Sequence, residues 1–127
     1  MHAAVPRRPL SDSVKRSAFM LHSATMEFAK ENEGRHMMPL QYLISFLLVA
    51  QEEGLSVQDY ASRARVAKSV MSRHLLDIGD RTRTGEQGLG LVTSRPKFHN
   101  MREHEVLLTA RGRALADRID HIWRMSR

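Results

Sequence analysis

The residues from Ser56 to Ile78, SVQDYASRARVAKSVMSRHLLDI, hold two short helical patterns with almost nothing between them. In the first, Ser56 suits an N-cap and Val57, Tyr60, Ala61 and Ala64 recur at i, i+3, i+4 and i+7. In the second, Met71, Leu75 and Ile78 share one stripe, while Lys68, Ser69, Ser72 and Arg73 fall largely on the other side. Arg65 and Val66 are the whole link. The spacing predicts two short helices joined by a tight turn, the second presenting a small polar face with two cations.

The flanking sequence completes the frame. Residues 1–10, with Pro6 and Pro9 around Arg7 and Arg8, read as a flexible arm. A first helix is expected from Ser11 or Ser13 to about Glu33, ending at Gly34. Its Val14, Ala18, Leu21, Thr25 and Phe28 form one seam, which needs a partner helix from this chain or from a second copy; dimerisation is the preferred reading. Pro39 suits the first turn of a second helix whose Leu40, Leu43, Ile44, Leu47 and Leu48 make an apolar face before Gly54. Beyond Ile78, GDRTRTGEQGLG reads as a loop, and LVTSRP and EVLLT as two strands joined by the polar, basic KFHNMREH. Thr109 can cap a last helix carrying Leu115, Ile119, Ile122 and Trp123 on one face, the second half of the dimer seam. The fold expected is mainly α with a small β-hairpin wing, a winged helix-turn-helix. It forms one domain over 11–127, with a dimerisation helix at 11–34, a core at 38–110 and a C-terminal helix at 110–126.

Charge narrows the partners. The net charge is +6 over 127 residues, and it is unevenly placed. Between Arg65 and His104 eight cations stand against four acids, whereas Met38 to Ala64 is net acidic. Such a basic segment points to a polyanion. The chain has no Cys, which excludes disulfides and thiolate metal sites and fits a reducing, cytoplasmic setting. No apolar run reaches the roughly 18 residues of a membrane span, and MHAAVPRRPL lacks the centre of a secretory signal. His99 and His104 beside Glu103 and Glu105 form the one local cluster of metal-ligand types, at a spacing that suits no structural zinc site, so no metal and no cofactor is expected. GEQGLG lacks the Lys-Ser/Thr ending of a phosphate cradle, and no spacing assembles a nucleophile, base and orienting acid; an enzyme is not expected.

The layout has a physical logic for DNA. The major groove of B-DNA admits one α-helix, which must be anchored from behind by apolar residues while short polar side chains face the bases. Met71, Leu75 and Ile78 suit the anchor, and Lys68, Ser69, Ser72 and Arg73 the reading face; Arg73 could meet a guanine edge or a phosphate. The hairpin tip offers Lys97, His99, Asn100 and Arg102 to the backbone or the minor groove, with Arg81, Arg83 and Arg95 as further backbone contacts.

At GLSVQDYASRARVAKSVMSRHLLDIG and GLVTSRPKFHNMREHEVLLTARGRAL the chain resembles the MarR family of winged-helix transcriptional regulators. GLV.SRP followed by LT.RGRAL is the more specific part. The resemblance implies a dimer on a pseudo-palindromic duplex, the helix from about Ala67 in the major groove and Arg102 as the wing-tip arginine. It also marks departures. Asn100 stands where Asp is usual, Ala67 where a serine caps the helix, and Arg65 where the turn has Gly. About eight extra residues enlarge the loop at DRTRTGEQGLG, and some 15 residues follow Gly112 where the family adds long helices, so a ligand cavity is expected to be small or absent and an effector is possible but unsupported. Two other jobs stay open: a phage or plasmid protein for replication, segregation or nucleoid architecture, and a winged helix that meets an acidic protein.

Overall fold

A computed structural model describes residues 8–32, 39–80, 85 and 87–126. Arg81 and Arg83, like most of the N-terminal arm, lie outside the described residues. Helix α1 (Asp12–Lys30) is capped by Ser11, whose Oγ accepts from the N–H of Val14 at 3.2 Å. Helix α2 (Leu40–Gln51) starts behind Pro39, where a missing N–H leaves nothing unsatisfied. Helix α3 (Val57–Ala64) opens on a capping box between Ser56 and Asp59; the Ser56 hydroxyl, then its N–H, holds the Asp59 carboxyl below the usual carboxylate range. Helix α4 (Lys68–Asp77) follows at once. Strands β1 (Val92–Pro96) and β2 (His104–Leu108) pair antiparallel, with Val92 opposite Leu108 and Pro96 opposite His104. Helix α5 (Ala110–Ser126) closes the chain, its Gly112 N–H donating to Thr109 Oγ1 at 3.0 Å. The protein is mainly helical with a two-stranded wing, a winged helix-turn-helix. No helix among the described residues is long and apolar enough to cross a membrane.

One core serves all the elements. Phe46 and Val49 of α2, Tyr60 of α3, Met71 and Leu75 of α4, Val106 of β2 and Leu115 of α5 are buried in a single cluster. The face of α2 matches the expected one only in part: Leu43, Leu47 and Leu48 pack partly buried against the core, but Leu40 is 67% exposed and Ser45, Phe46 and Val49 are the buried residues. This helix is apolar on nearly every side, so periodicity alone does not single out the side that packs.

The expected dimer seam divides in two. Val14, Ala18, Leu21 and Thr25 are exposed on α1, as is Trp123 on α5, with Ile122 half-buried. Phe28 and Leu115 are taken by the chain's own core: Phe28 tilts onto Phe46 with ring centroids 5.5 Å apart, Leu115 is fully buried, and Ile119 packs partly buried against the same cluster. The end of the α1 seam is thus covered by α2 and α5 of the same chain. Charge fastens α1 to α5, because Arg118 reaches Glu27 at 3.1 Å and Glu31 at 2.6 Å, and Arg111 also bonds Glu31.

Backbone pairing seats the wing on the helix-turn-helix. Gly54 N–H donates to Val106 O at 2.8 Å, and Val106 N–H to Leu55 O at 3.0 Å, so the segment before α3 lies along β2. Glu53 adds a latch, accepting from the Leu108 N–H at 2.7 Å and from the Arg113 guanidinium at 2.9 and 3.0 Å. Residues 89–91 then turn back under α4. Leu89 N–H donates to Asp77 O, Gly90 N–H to Gly79 O and Leu91 N–H to Ile78 O, which satisfies carbonyls at the end of that helix.

Candidate nucleic-acid interface

Helix α4 is held from behind at three levels. Met71, Leu75 and Ile78 are buried, the Ser45 hydroxyl lies 3.5 Å from Met71 Sδ, and Tyr42 donates its hydroxyl to Asp77 Oδ2 at 2.6 Å. A helix fixed this way presents its other face rigidly. That face carries Lys68, Ser69, Ser72 and Arg73, all exposed.

The two departures at the turn have visible geometry. Arg65 adopts the left-handed conformation (φ 58°, ψ 43°) that Gly takes more cheaply, and the adjacent Val66 N–H bonds Ala61 O at 3.0 Å. Ala67 is the N-cap of α4 and supplies no side-chain bond. Arg65→Gly should relieve the strained φ at a smaller cost in unfolded-chain entropy, raising stability by about 0.5–1 kcal/mol. Thermal unfolding would read this as a Tm a few degrees higher; a lower Tm would refute it.

His74 lies on the inner edge of α4. It is half-buried with its ring edge toward Tyr42, centroids 6.0 Å apart, and its Nδ1 is buried with no hydrogen-bond partner among the described residues. Burial pushes its pKa below the ordinary 6.5; Asp77 opposes the shift and Arg73 adds to it. The unfolded chain therefore binds this proton more readily than the folded one. The stability linked to His74 is whole above the ordinary imidazole value and is lost as pH falls below it. In urea titrations, the stability gap between wild type and His74→Gln should stay constant above about pH 7.5 and move in favour of the variant toward about pH 5.5. A gap that did not move would refute the assignment.

The wing meets α4 on one side. Lys68, Lys97 and Arg102 border one open crevice of about 600 Å³, with Ser56 and Gln58 of the α3 start and Ser94 of β1; Asp59 and Glu103 line it too, so its three cations face two carboxylates. Ser72 borders the neighbouring cleft with Thr93 and Ser94. Lys68 and Ser72 thus line the wing side of α4, leaving Ser69 and Arg73 one step around the helix.

Cations expected to act alike are in different states. Arg95 pairs with Glu105 directly opposite it, Nε to Oε1 at 2.7 Å, and Lys97 pairs with Glu103 at 3.4 Å. Arg65, Lys68, Arg73 and Arg102 have no ion-pair partner among the described residues. Asn100 does orient Arg102, through the backbone: its Oδ1 accepts from the Arg102 N–H at 3.0 Å, a bond an amide makes as well as a carboxylate. His99 is exposed and packs edge-on against Phe98, centroids 5.1 Å apart.

Two residues of the tip escaped the reading of KFHNMREH as polar and basic. Phe98 is 91% exposed and Met101 69%. Their apolar character was visible in the sequence; their projection into water was not.

Fold and face together define a winged helix-turn-helix protein with an exposed, cationic second helix. Solved structures share this fold. A MarR-family transcriptional regulator from Silicibacter pomeroyi matches with a TM-score of 0.52 at 20% identity, over 88% of this chain and 66% of that one. A mutant MepR of S. aureus, bound to an oligodeoxyribonucleotide, gives 0.60 at 17% identity, over 92% and 79%. A MarR family protein of Mycobacterium tuberculosis gives 0.52 at 24% identity, over 89% and 71%. The chain spans just under two thirds of the length of the first of these. No family model and no curated protein matches it.

Proposed function

We propose that the protein is a cytoplasmic, sequence-specific double-stranded DNA-binding transcriptional regulator that works as a homodimer. The observation that carries this reading is the convergence of Lys68, at the start of a helix anchored from behind, with Arg102 of the wing on one open crevice. Lys68, Ser69, Ser72 and Arg73 face the major groove, and Arg102 and its neighbours at the tip meet the minor groove or the backbone. Lys97 and Arg95 serve the backbone after exchanging their carboxylate partners for phosphate, and therefore contribute less. The DNA-bound MepR of the same fold supports the assignment.

The dimer reading rests on the apolar side chains that α1 and α5 leave in water. Val14, Leu21 and Trp123 of the expected seam are joined there by Phe19, Met26 and Met125. A two-fold across these helices would set two α4 helices about 34 Å apart, one turn of DNA. Selection of bound duplexes from a random pool tests the function. A palindromic consensus with half-sites one helical turn apart is the expected result; failure to shift any duplex at about 50 mM salt would overturn it and favour an acidic protein partner.

A further inference from the structure

The tip of the wing is built rigidly and then left apolar. Residues 97–103 form a closed turn: Lys97 N–H donates to Glu103 O at 2.8 Å, Glu103 N–H to Asn100 O at 3.0 Å, and Asn100 Oδ1 takes the Arg102 N–H. The Lys97–Glu103 ion pair spans its base. A turn so fixed holds Phe98 and Met101 in solvent, with His99 edge-on against the phenyl ring. Arg95 and Lys97 are paired, so among the described residues the cation of the tip without an ion-pair partner is Arg102. Such a cation beside two exposed apolar side chains makes a poor phosphate-tracking strip. It suits a narrow, electronegative groove whose floor is the edges of base pairs, where an apolar side chain can open a step and cover the faces it exposes.

We infer that Phe98, backed by Met101, is a wedge that the wing drives between two base pairs from the minor groove, so that the protein kinks its DNA. The inference rests on the DNA-binding reading above. Arg102 draws the tip into the groove, and the phenyl ring replaces part of the stacking it interrupts. A flexible pyrimidine–purine step opens most easily, so the wedge adds specificity at a position no polar side chain touches.

The test uses the full chain and a duplex selected from a random pool. The duplex carries donor and acceptor dyes at its ends, or 2-aminopurine at successive steps, which brightens when unstacked. Wild type should bend the duplex by tens of degrees and brighten one step per half-site. Phe98→Ala should lose most of the bend and the brightening, with only a few-fold loss of affinity and the same salt slope. Phe98→Leu should keep most of the bend, and Arg102→Ala should instead lower affinity and the salt slope. Tight binding to a straight, dark duplex, or a Phe98→Ala complex as bent as wild type, would overturn the wedge and leave the DNA-binding reading standing. So would a sedimentation shift showing that Phe98→Ala breaks a dimer, since the ring would then belong to a protein contact. Absence of binding at low salt would overturn both.

Discussion

Gly112→Ala is expected to destabilise the fold by about 3 kcal/mol or more, lowering Tm by roughly 10 °C. Gly112 lies in the first turn of α5, buried, and its Cα faces the chain as it enters β1. A Cβ there would stand 2.1 Å from the carbonyl oxygen of Leu91 and 3.3 Å from Leu108 Cδ2. The obstacle is backbone, and it is held on both sides: Leu91 N–H is bonded to Ile78 O, and Leu91 O accepts from Thr109 N–H at 3.0 Å. No rotamer change relieves such a contact, so α5 must lift away from the wing. That movement also strains the Thr109 cap and the Arg113–Glu53 latch. Ala114→Gly, on an exposed position of the same helix, serves as the comparison and should cost only about 1 kcal/mol through helix propensity. Equal effects from the two substitutions would refute the close-approach explanation.

The helix-turn-helix was legible because local signals agreed. Ser56 as a cap, the Val57–Ala64 spacing and the Met71–Ile78 stripe all predict two short helices, and the structure places helices at Val57–Ala64 and Lys68–Asp77. The hairpin was legible from two β-rich runs around a polar turn, and its strands fall within one residue of the expected bounds. What stayed hidden depends on contacts distant along the chain. Phe28 belongs to the same periodic seam as Leu21, yet one is core and the other exposed, because Phe46, 18 residues further along the chain, packs on the first while the second is left in solvent. Arg95 and Arg102 are alike as letters; cross-strand register gives the first a carboxylate opposite and the second none. Gly112 was noticed only within a motif, and its reason, the carbonyl of Leu91, is a tertiary fact. Phe98 was hidden for the opposite reason, since it is 91% exposed with His99 edge-on beside it.

Arg73→Ala and Arg102→Ala should each weaken binding to the selected duplex by about ten- to a hundredfold per contact, or about 1–3 kcal/mol. In a homodimer each substitution occurs twice, so the loss per dimer approaches the square of that factor. The two need not fail alike. If Arg73 grips a guanine edge, its loss relaxes the preference at one position of each half-site; if it grips a phosphate, all sequences weaken together and the slope of log K against log salt drops by about one per contact. Arg102, at the tip, should lower the salt slope in either groove position. Arg95→Ala supplies the internal scale. Its guanidinium is neutralised by Glu105 at 2.7 Å, so DNA must first displace that partner, and the loss should be well below that of Arg102→Ala. Both arginines are exposed, and unchanged Tm values would show that the fold is intact. Undiminished binding by both alanine variants would overturn the interface, whereas an Arg95→Ala loss equal to that of Arg102→Ala would overturn only the division into free and paired cations.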